Sequence, residues 1–131
     1  MAGGKAQADG GTMLTPWGKA TRVIYLERGI SFVVTPEHGG LILDREYAEA
    51  KLSFPARKRG RCLGDSYAFE MDYAWALVLW EIPHLRVAWA GAGAPGADHF
   101  AERTLAAIIS RRFPDYLREY LSLKSYALCR P

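Results

Sequence analysis

Cysteine is scarce in this chain: Cys62 and Cys129 are the two present among 131 residues. Two are too few for a disulfide framework or a four-ligand zinc set, and both are expected to be reduced thiols. Long apolar runs are missing as well. The longest mostly apolar segment, Tyr73 to Trp80, falls far short of the roughly 20 residues needed to cross a bilayer, and the opening MAGGKAQADGGT carries no hydrophobic signal core. A cytoplasmic protein without a membrane partner is the expectation. Also missing are a Gly-x-Ser-x-Gly elbow, a His-Glu-x-x-His helix, a Cys-x-x-Cys pair and a phosphate loop ending in Gly-Lys-Ser/Thr. The nearest pattern, Gly91-Ala92-Gly93, lacks the third glycine of a dinucleotide fingerprint. No cofactor or metal is therefore expected, and the balance tilts away from an enzyme.

What is present is a core-forming composition. Half the residues are apolar, with four tryptophans and seven tyrosines, which excludes a disordered or fibrous chain. The length suits one domain. Residues 1–12, rich in Gly and Ala without apolar period, read as a flexible leader, and 13–131 as a single α+β domain. Seventeen basic residues against fourteen acidic ones leave a formal charge of +3, enough to steer the chain toward phosphate backbones or acidic protein surfaces.

The run TRVIYL, residues 21–26, is β-branched and aromatic; Glu27-Arg28-Gly29 turns it, and ISFVVTP resumes from Ile30 as the second strand of an antiparallel hairpin. Pro36 ends that strand, Gly39-Gly40 permit a sharp corner, and Leu41 to Leu43 complete a three-stranded meander. Asp44 is placed to cap a short helix over 45–52. The segment FPARKRGRCLG, 54–64, has no apolar period and reads as an exposed basic loop. A central helix is expected over 67–82, because Phe69, Tyr73, Leu77 and Trp80 recur at helical spacing before Pro83. Val87 to Trp89 read as a short extended piece and Ala90 to Gly96 as a flexible connection. Two C-terminal helices follow, from Asp98 to Arg112 and from Pro114 to about Leu123, separated at Phe113-Pro114. The expected architecture is a small antiparallel three-stranded sheet packed on a central helix, with two C-terminal helices.

His38, beside Gly39 and Gly40, is the first candidate for chemistry, since an imidazole titrates near neutrality and serves proton transfer or metal binding. Its plainer role is to fix the corner. Glu70 and Asp72 are the second candidates; at i and i+2 of a helix they point about 200° apart and cannot act as a close pair. One of them meeting His38 would make a catalytic or metal-binding set, whereas the plainer reading has them complement a helix dipole. Arg57, Lys58, Arg59 and Arg61 form the third candidate, a grip for a polyanion, with no aromatic read nearby to stack on bases. Trp17, Trp75, Trp80 and Trp89 divide between core and surface, an exposed one being an interface anchor. Tyr116, Tyr120 and Tyr126 could fill the core or form a homodimer surface on the C-terminal helices.

The order of TPWG at 15–18, His38-Gly39-Gly40 and the E-x-D-x-x-W run Glu70 to Trp75 resembles an uncharacterised domain family of proteobacterial plasmids, integrative elements and phages, over about residues 15–85. The resemblance implies packing of Trp17 on the helix that carries Trp75, and a mobile-element setting. With it, the expectation is an accessory protein that binds a host protein or ribonucleoprotein, through Arg57, Lys58, Arg59, Arg61, Trp17 and Trp75. Inhibition of a CRISPR-type nucleic-acid-handling defence complex is a specialisation of that reading. The alternatives are a small hydrolase or metal-dependent enzyme using His38 with Glu70 and Asp72, and sequence-independent binding to a nucleic-acid backbone.

Overall fold

The computed structural model describes residues 7–9, 14–91 and 102–129. Three short strands come first, β1 (Gln7–Asp9), β2 (Leu14–Thr15) and β3 (Gly18–Lys19), then the longer β4 (Arg22–Glu27), β5 (Ile30–Val34) and β6 (Gly39–Asp44). Helices α1 (Arg45–Lys51) and α2 (Phe54–Arg57) lead to β7 (Arg61–Cys62) and β8 (Ser66–Glu70). The rest of the described chain is helical: α3 (Trp75–Glu81), α4 (His84–Gly91), α5 (Glu102–Arg112) and α6 (Pro114–Cys129). Six strands pair antiparallel in the order β1-β4-β5-β6-β8-β7, and β2 pairs with β3 as a separate ribbon.

The β4–β5 hairpin forms as the sequence implies, around Arg28-Gly29. Gly29 has φ +97°, and a Cβ there would lie 2.9 Å from the Tyr47 ring, so both backbone and space require glycine. Alternation then sorts side chains between faces. Ile24, Phe32, Leu41, Leu43 and Phe69 point to the helical side and join the main core, while Val23, Val33 and Ile42 point the other way, onto Ala20 and Trp17.

The expectation of three strands on one central helix is corrected. Ser66–Glu70, read as the start of that helix, is the fourth long strand, pairing Tyr67 with Leu43 and Phe69 with Leu41. The physical reason is that Tyr67, Phe69 and Met71 also fit a period of two, and all three face the helical core. The helix proper starts at Trp75, after a turn over 71–74. Val87 to Trp89 are likewise helical: Ile82 breaks α3 at φ −124°, ψ 76°, and Pro83 then opens α4, whose Leu85 and Trp89 lie one turn apart and fully buried. Trp89 packs 4.7 Å from Phe32 and 6.0 Å from Trp75, ring centre to ring centre.

The segment expected as an irregular basic loop contains α2 and β7. Ser53 caps α2, its Oγ accepting from Ala56 N at 3.2 Å. Asp44 has the extended backbone of an N-cap but makes no side-chain capping bond. Helix α6 runs beyond Leu123, and Leu105 and Ile109 of α5 are buried as their spacing implies. Of the expected leader, Gln7–Asp9 pair with β4 as an edge strand, and 1–6 and 10–12 lie outside the described residues, as do 92–101 with the flexible connection after Gly91 and the expected helix start at Asp98. Among the described residues no helix is long and apolar enough to cross a membrane.

Candidate functional site

Two turns meet at one end of the sheet. The corner between β5 and β6 is clipped by the buried Thr35, whose N donates to His38 O at 2.8 Å, whose hydroxyl donates to the same oxygen at 2.9 Å, and whose Oγ1 accepts from His38 N at 3.1 Å. The turn after β8 is joined to that corner by Met71 N donating to Gly39 O at 2.9 Å. Glu70 closes this second turn: its Oε1 accepts from Tyr73 N at 2.6 Å and Ala74 N at 3.0 Å, satisfying donors at the entrance to α3. Between the turns lies a cleft of about 440 Å³, walled by Trp17, Glu37, His38, Glu70, Met71 and Asp72 among others.

Trp17 reaches this cleft from the β2–β3 turn. Thr15 Oγ1 accepts from Trp17 N at 3.1 Å and donates to Gly18 O at 2.7 Å. The indole then lies on Gly40, where a Cβ would come within 2.6 Å of Trp17 Cη2 and 2.4 Å of Phe69 O, so this position must lack a side chain. The implied packing of Trp17 on the helix of Trp75 is therefore corrected: Trp17 sits with Val23 and Val33, and Trp75 in the helical core, on the opposite sheet face. Trp75 is 5 % exposed and offers no surface to a partner.

His38, Glu70 and Asp72 thus share one cleft, although Glu70 and Asp72 lie on a strand end and a turn rather than on a helix. Among the described residues the His38 ring makes no hydrogen bond, and no three His, Cys, Asp or Glu side chains gather closely enough to hold a metal ion. Glu37, Glu70 and Asp72 form no ion pair with any described residue. The cleft is a concave surface with an indole in its wall and three carboxylates that have no ion-pair partner among the described residues.

The basic residues are less free than their spacing suggests. Arg57 Nη1 donates to Leu52 O at 2.6 Å. Arg59, with its side chain 16 % exposed, donates to Pro55 O at 2.8 Å and pairs through both terminal nitrogens with Glu119 on α6 at 3.1 and 3.2 Å. Lys58 Nζ lies 2.8 Å from the same carboxylate. The bonds from Arg59, then Lys58, hold the Glu119 carboxyl down at about 2. Arg61 is exposed on β7.

An aromatic does stand nearby. The ring of Phe54 is 62 % exposed, with the Arg57 guanidinium 5.9 Å and the Lys58 ammonium 5.8 Å from its centre. Phe54 and Pro55 form one side of a groove of about 400 Å³ whose other side is Arg118, Glu119, Ser122 and Leu123 of α6. The sequence signal for it was Phe54, three residues before the basic run starts at Arg57, but only the docking of α2 on α6 makes the groove.

Two networks are structural, one part-buried around Glu81 and one that runs from Tyr47 out to the exposed His84. Glu81 accepts from Ser53 N at 2.7 Å, Ser53 Oγ at 2.6 Å and Tyr116 OH at 2.5 Å, which ties α3, α2 and α6 together. Tyr116 is fully buried, so it belongs to the core and not to a dimer surface; Tyr120 stacks on it, half-buried, at 5.6 Å. The side chain of Tyr126 lies outside the described residues. Glu27 accepts from Tyr47 OH at 2.7 Å and meets His84 Nε2 at 2.9 Å. Burial pushes the Tyr47 hydroxyl up, reinforced by Glu27; burial also raises the Glu27 carboxyl, but Tyr47 and His84 outweigh it and the net direction is down.

A family model described as a domain of unknown function, DUF7007, matches residues 11–125, and the chain belongs to that family. The match covers α5 and most of α6, so the segment after Leu85, expected to depart from the resemblance or extend beyond it, lies inside the family domain as far as residue 125. Comparison with the curated proteins and with the solved structures finds no match.

Proposed function

We propose that the protein acts by docking on a host protein, as an accessory product of a mobile element, and that α2 and α6 form the docking face. The observation that carries this is Phe54, a large ring left in water beside two cations and an apolar groove. An aromatic of this kind supplies an anchor, and the Arg57 guanidinium beside it, which has no ion-pair partner among the described residues, favours an acidic rim. The occupant argued for is therefore an acidic protein surface with an apolar centre. The plasmid and phage setting implied by the TPWG, His-Gly-Gly and E-x-D-x-x-W motifs points to a cytoplasmic host complex, with CRISPR-type inhibition as its specific form.

The test is interference by such a complex against a targeted phage in cells expressing wild-type protein or Phe54→Ser/Lys58→Gln. Wild type should protect the phage, and the variant should lose that protection while staying folded, its urea midpoint within about 0.5 M of wild type after loss of one exposed ion pair. Purified complex should bind the variant at least about 30-fold more weakly, as expected for an anchor. Full protection by the variant, or none by wild type, overturns the proposal for this complex.

One observation favours the hydrolytic reading, the shared cleft of His38, Glu70 and Asp72. Against it, His38, Glu70 and Asp72 do not gather closely enough to hold a metal ion, and the His38 ring makes no hydrogen bond among the described residues. Nucleic-acid binding loses support because Lys58 and Arg59 are already paired with Glu119; a flat salt dependence of any polyanion binding would exclude it.

A further inference from the structure

We propose that the cleft between the β5–β6 corner and the β8–α3 turn is a binding site for an organic cation, an alkylammonium or guanidinium group. Three independent features converge there. The first is shape: about 440 Å³ of concave space, within the range of small-ligand sites and large enough for an amine and its stem. The second is the indole of Trp17, held at the wall by its contact with Gly40, and indole is the best of the aromatic faces for attracting a cation.

The third is charge. In a molecule with a net charge of +3, Glu37 from one turn and Glu70 and Asp72 from the other line the cleft without an ion-pair partner among the described residues. These carboxylates do not gather tightly enough with any His or Cys to hold a metal ion. Distributed over two turns of a cleft that also holds an indole, they suit a cation whose charge is spread or carried on a flexible stem. Glu70 keeps its role at the entrance to α3 through Oε1, which leaves Oε2 for the ligand. Both turns are fixed by backbone bonds, so the site is formed before a ligand arrives.

Such a group has two sources, a free amine or the side chain of a protein. Titration of 15N-labelled full-length protein with butylammonium, methylguanidinium, spermidine and N-acetyl-lysine methylamide separates them, read at the Trp17 indole N–H as assigned by its disappearance in Trp17→Phe. The expected result is a saturable shift of that signal, in the millimolar range for single charges, weakened at least tenfold in Glu37→Gln/Asp72→Asn. Tighter binding of spermidine assigns the site to free polyamines; tighter binding of the lysine derivative assigns it to a protein side chain. Glu37 and Asp72 are exposed and make no hydrogen bonds to described residues, so the double variant keeps the fold. Phe54→Ser/Lys58→Gln should bind these amines as wild type does, which keeps this site separate from the docking face. Linear or absent shifts in wild type, or equal affinity in Glu37→Gln/Asp72→Asn, would overturn the proposal.

Discussion

Replacing Tyr116 by phenylalanine removes one hydroxyl from the tie between α6 and the rest of the core. The ring is fully buried and stacked on Tyr120, with the Arg59 guanidinium 5.8 Å from its centre, and phenylalanine keeps that packing. What is lost is a 2.5 Å bond to Glu81 Oε2. A hydrogen bond to a charged group contributes about 1.5–3 kcal/mol net. Glu81 keeps its two Ser53 donors, so the carboxylate is not orphaned and a loss of about 2 kcal/mol follows. With a urea slope of about 2 kcal/mol/M for a domain of this size, the unfolding midpoint should fall by about 1 M at unchanged slope. Ser53→Ala and the double variant complete a cycle: both hydroxyls use the same oxygen, so their losses should depart from additivity by at least about 0.5 kcal/mol. A midpoint shift below about 0.2 M, or additivity within about 0.3 kcal/mol, would refute the reasoning that Glu81 acts as a shared acceptor.

Gly40→Ala should destabilise by at least the about 1–3 kcal/mol typical of overpacking, because one of the atoms its Cβ meets is the Phe69 carbonyl oxygen of the paired strand, which cannot swing away; denaturant unfolding checks this. Trp89→Ala, emptying the junction of Phe32 and Trp75, should cost about 3–5 kcal/mol by the same measurement. The Glu119 carboxyl, held at about 2 by Arg59 and then Lys58, should titrate there by carbon-detected NMR. Since its folded value is depressed, its stabilising tie is fully present above the ordinary carboxylate value of about 4.3 and is lost as pH falls through about 2. Arg59→Gln should move that midpoint upward; an unchanged midpoint would remove Arg59 as the cause.

Much of the fold could be read where one period dominated. TRVIYL and ISFVV alternate around a glycine turn and form β4 and β5, and Phe113-Pro114 separates α5 from α6. Reading failed where a short run satisfied two periods. Tyr67, Phe69 and Met71 fit a strand, while Phe69, Tyr73 and Leu77 fit a helix; pairing with β6 decided it, and that pairing joins residues more than twenty positions apart. Val87 to Trp89 looked extended because the role of Pro83 as a helix opener depends on where Ile82 breaks the chain. The cleft was only partly legible. His38, Glu70 and Asp72 stood out by residue type, but Trp17 and Glu37 join them through folding of the β2–β3 ribbon and a corner clipped by Thr35. The charge of the basic run was plain, yet its neutralisation by Glu119, sixty residues later than Arg59, was not.

The β2–β3 ribbon is held by two cross-strand residue pairs and by the indole of Trp17 resting on a small apolar cluster, whereas the opposite face of the sheet carries the whole helical layer. Such unequal anchorage predicts a ribbon that opens sub-globally, with amides expected to exchange into deuterium faster than those of β5 and β6. When it lifts, the cleft loses its aromatic wall while the helices and the large sheet stay folded. If the cleft takes the proposed cation, its capture and release would be set by the local stability of six residues rather than by the larger free energy that keeps the molecule folded.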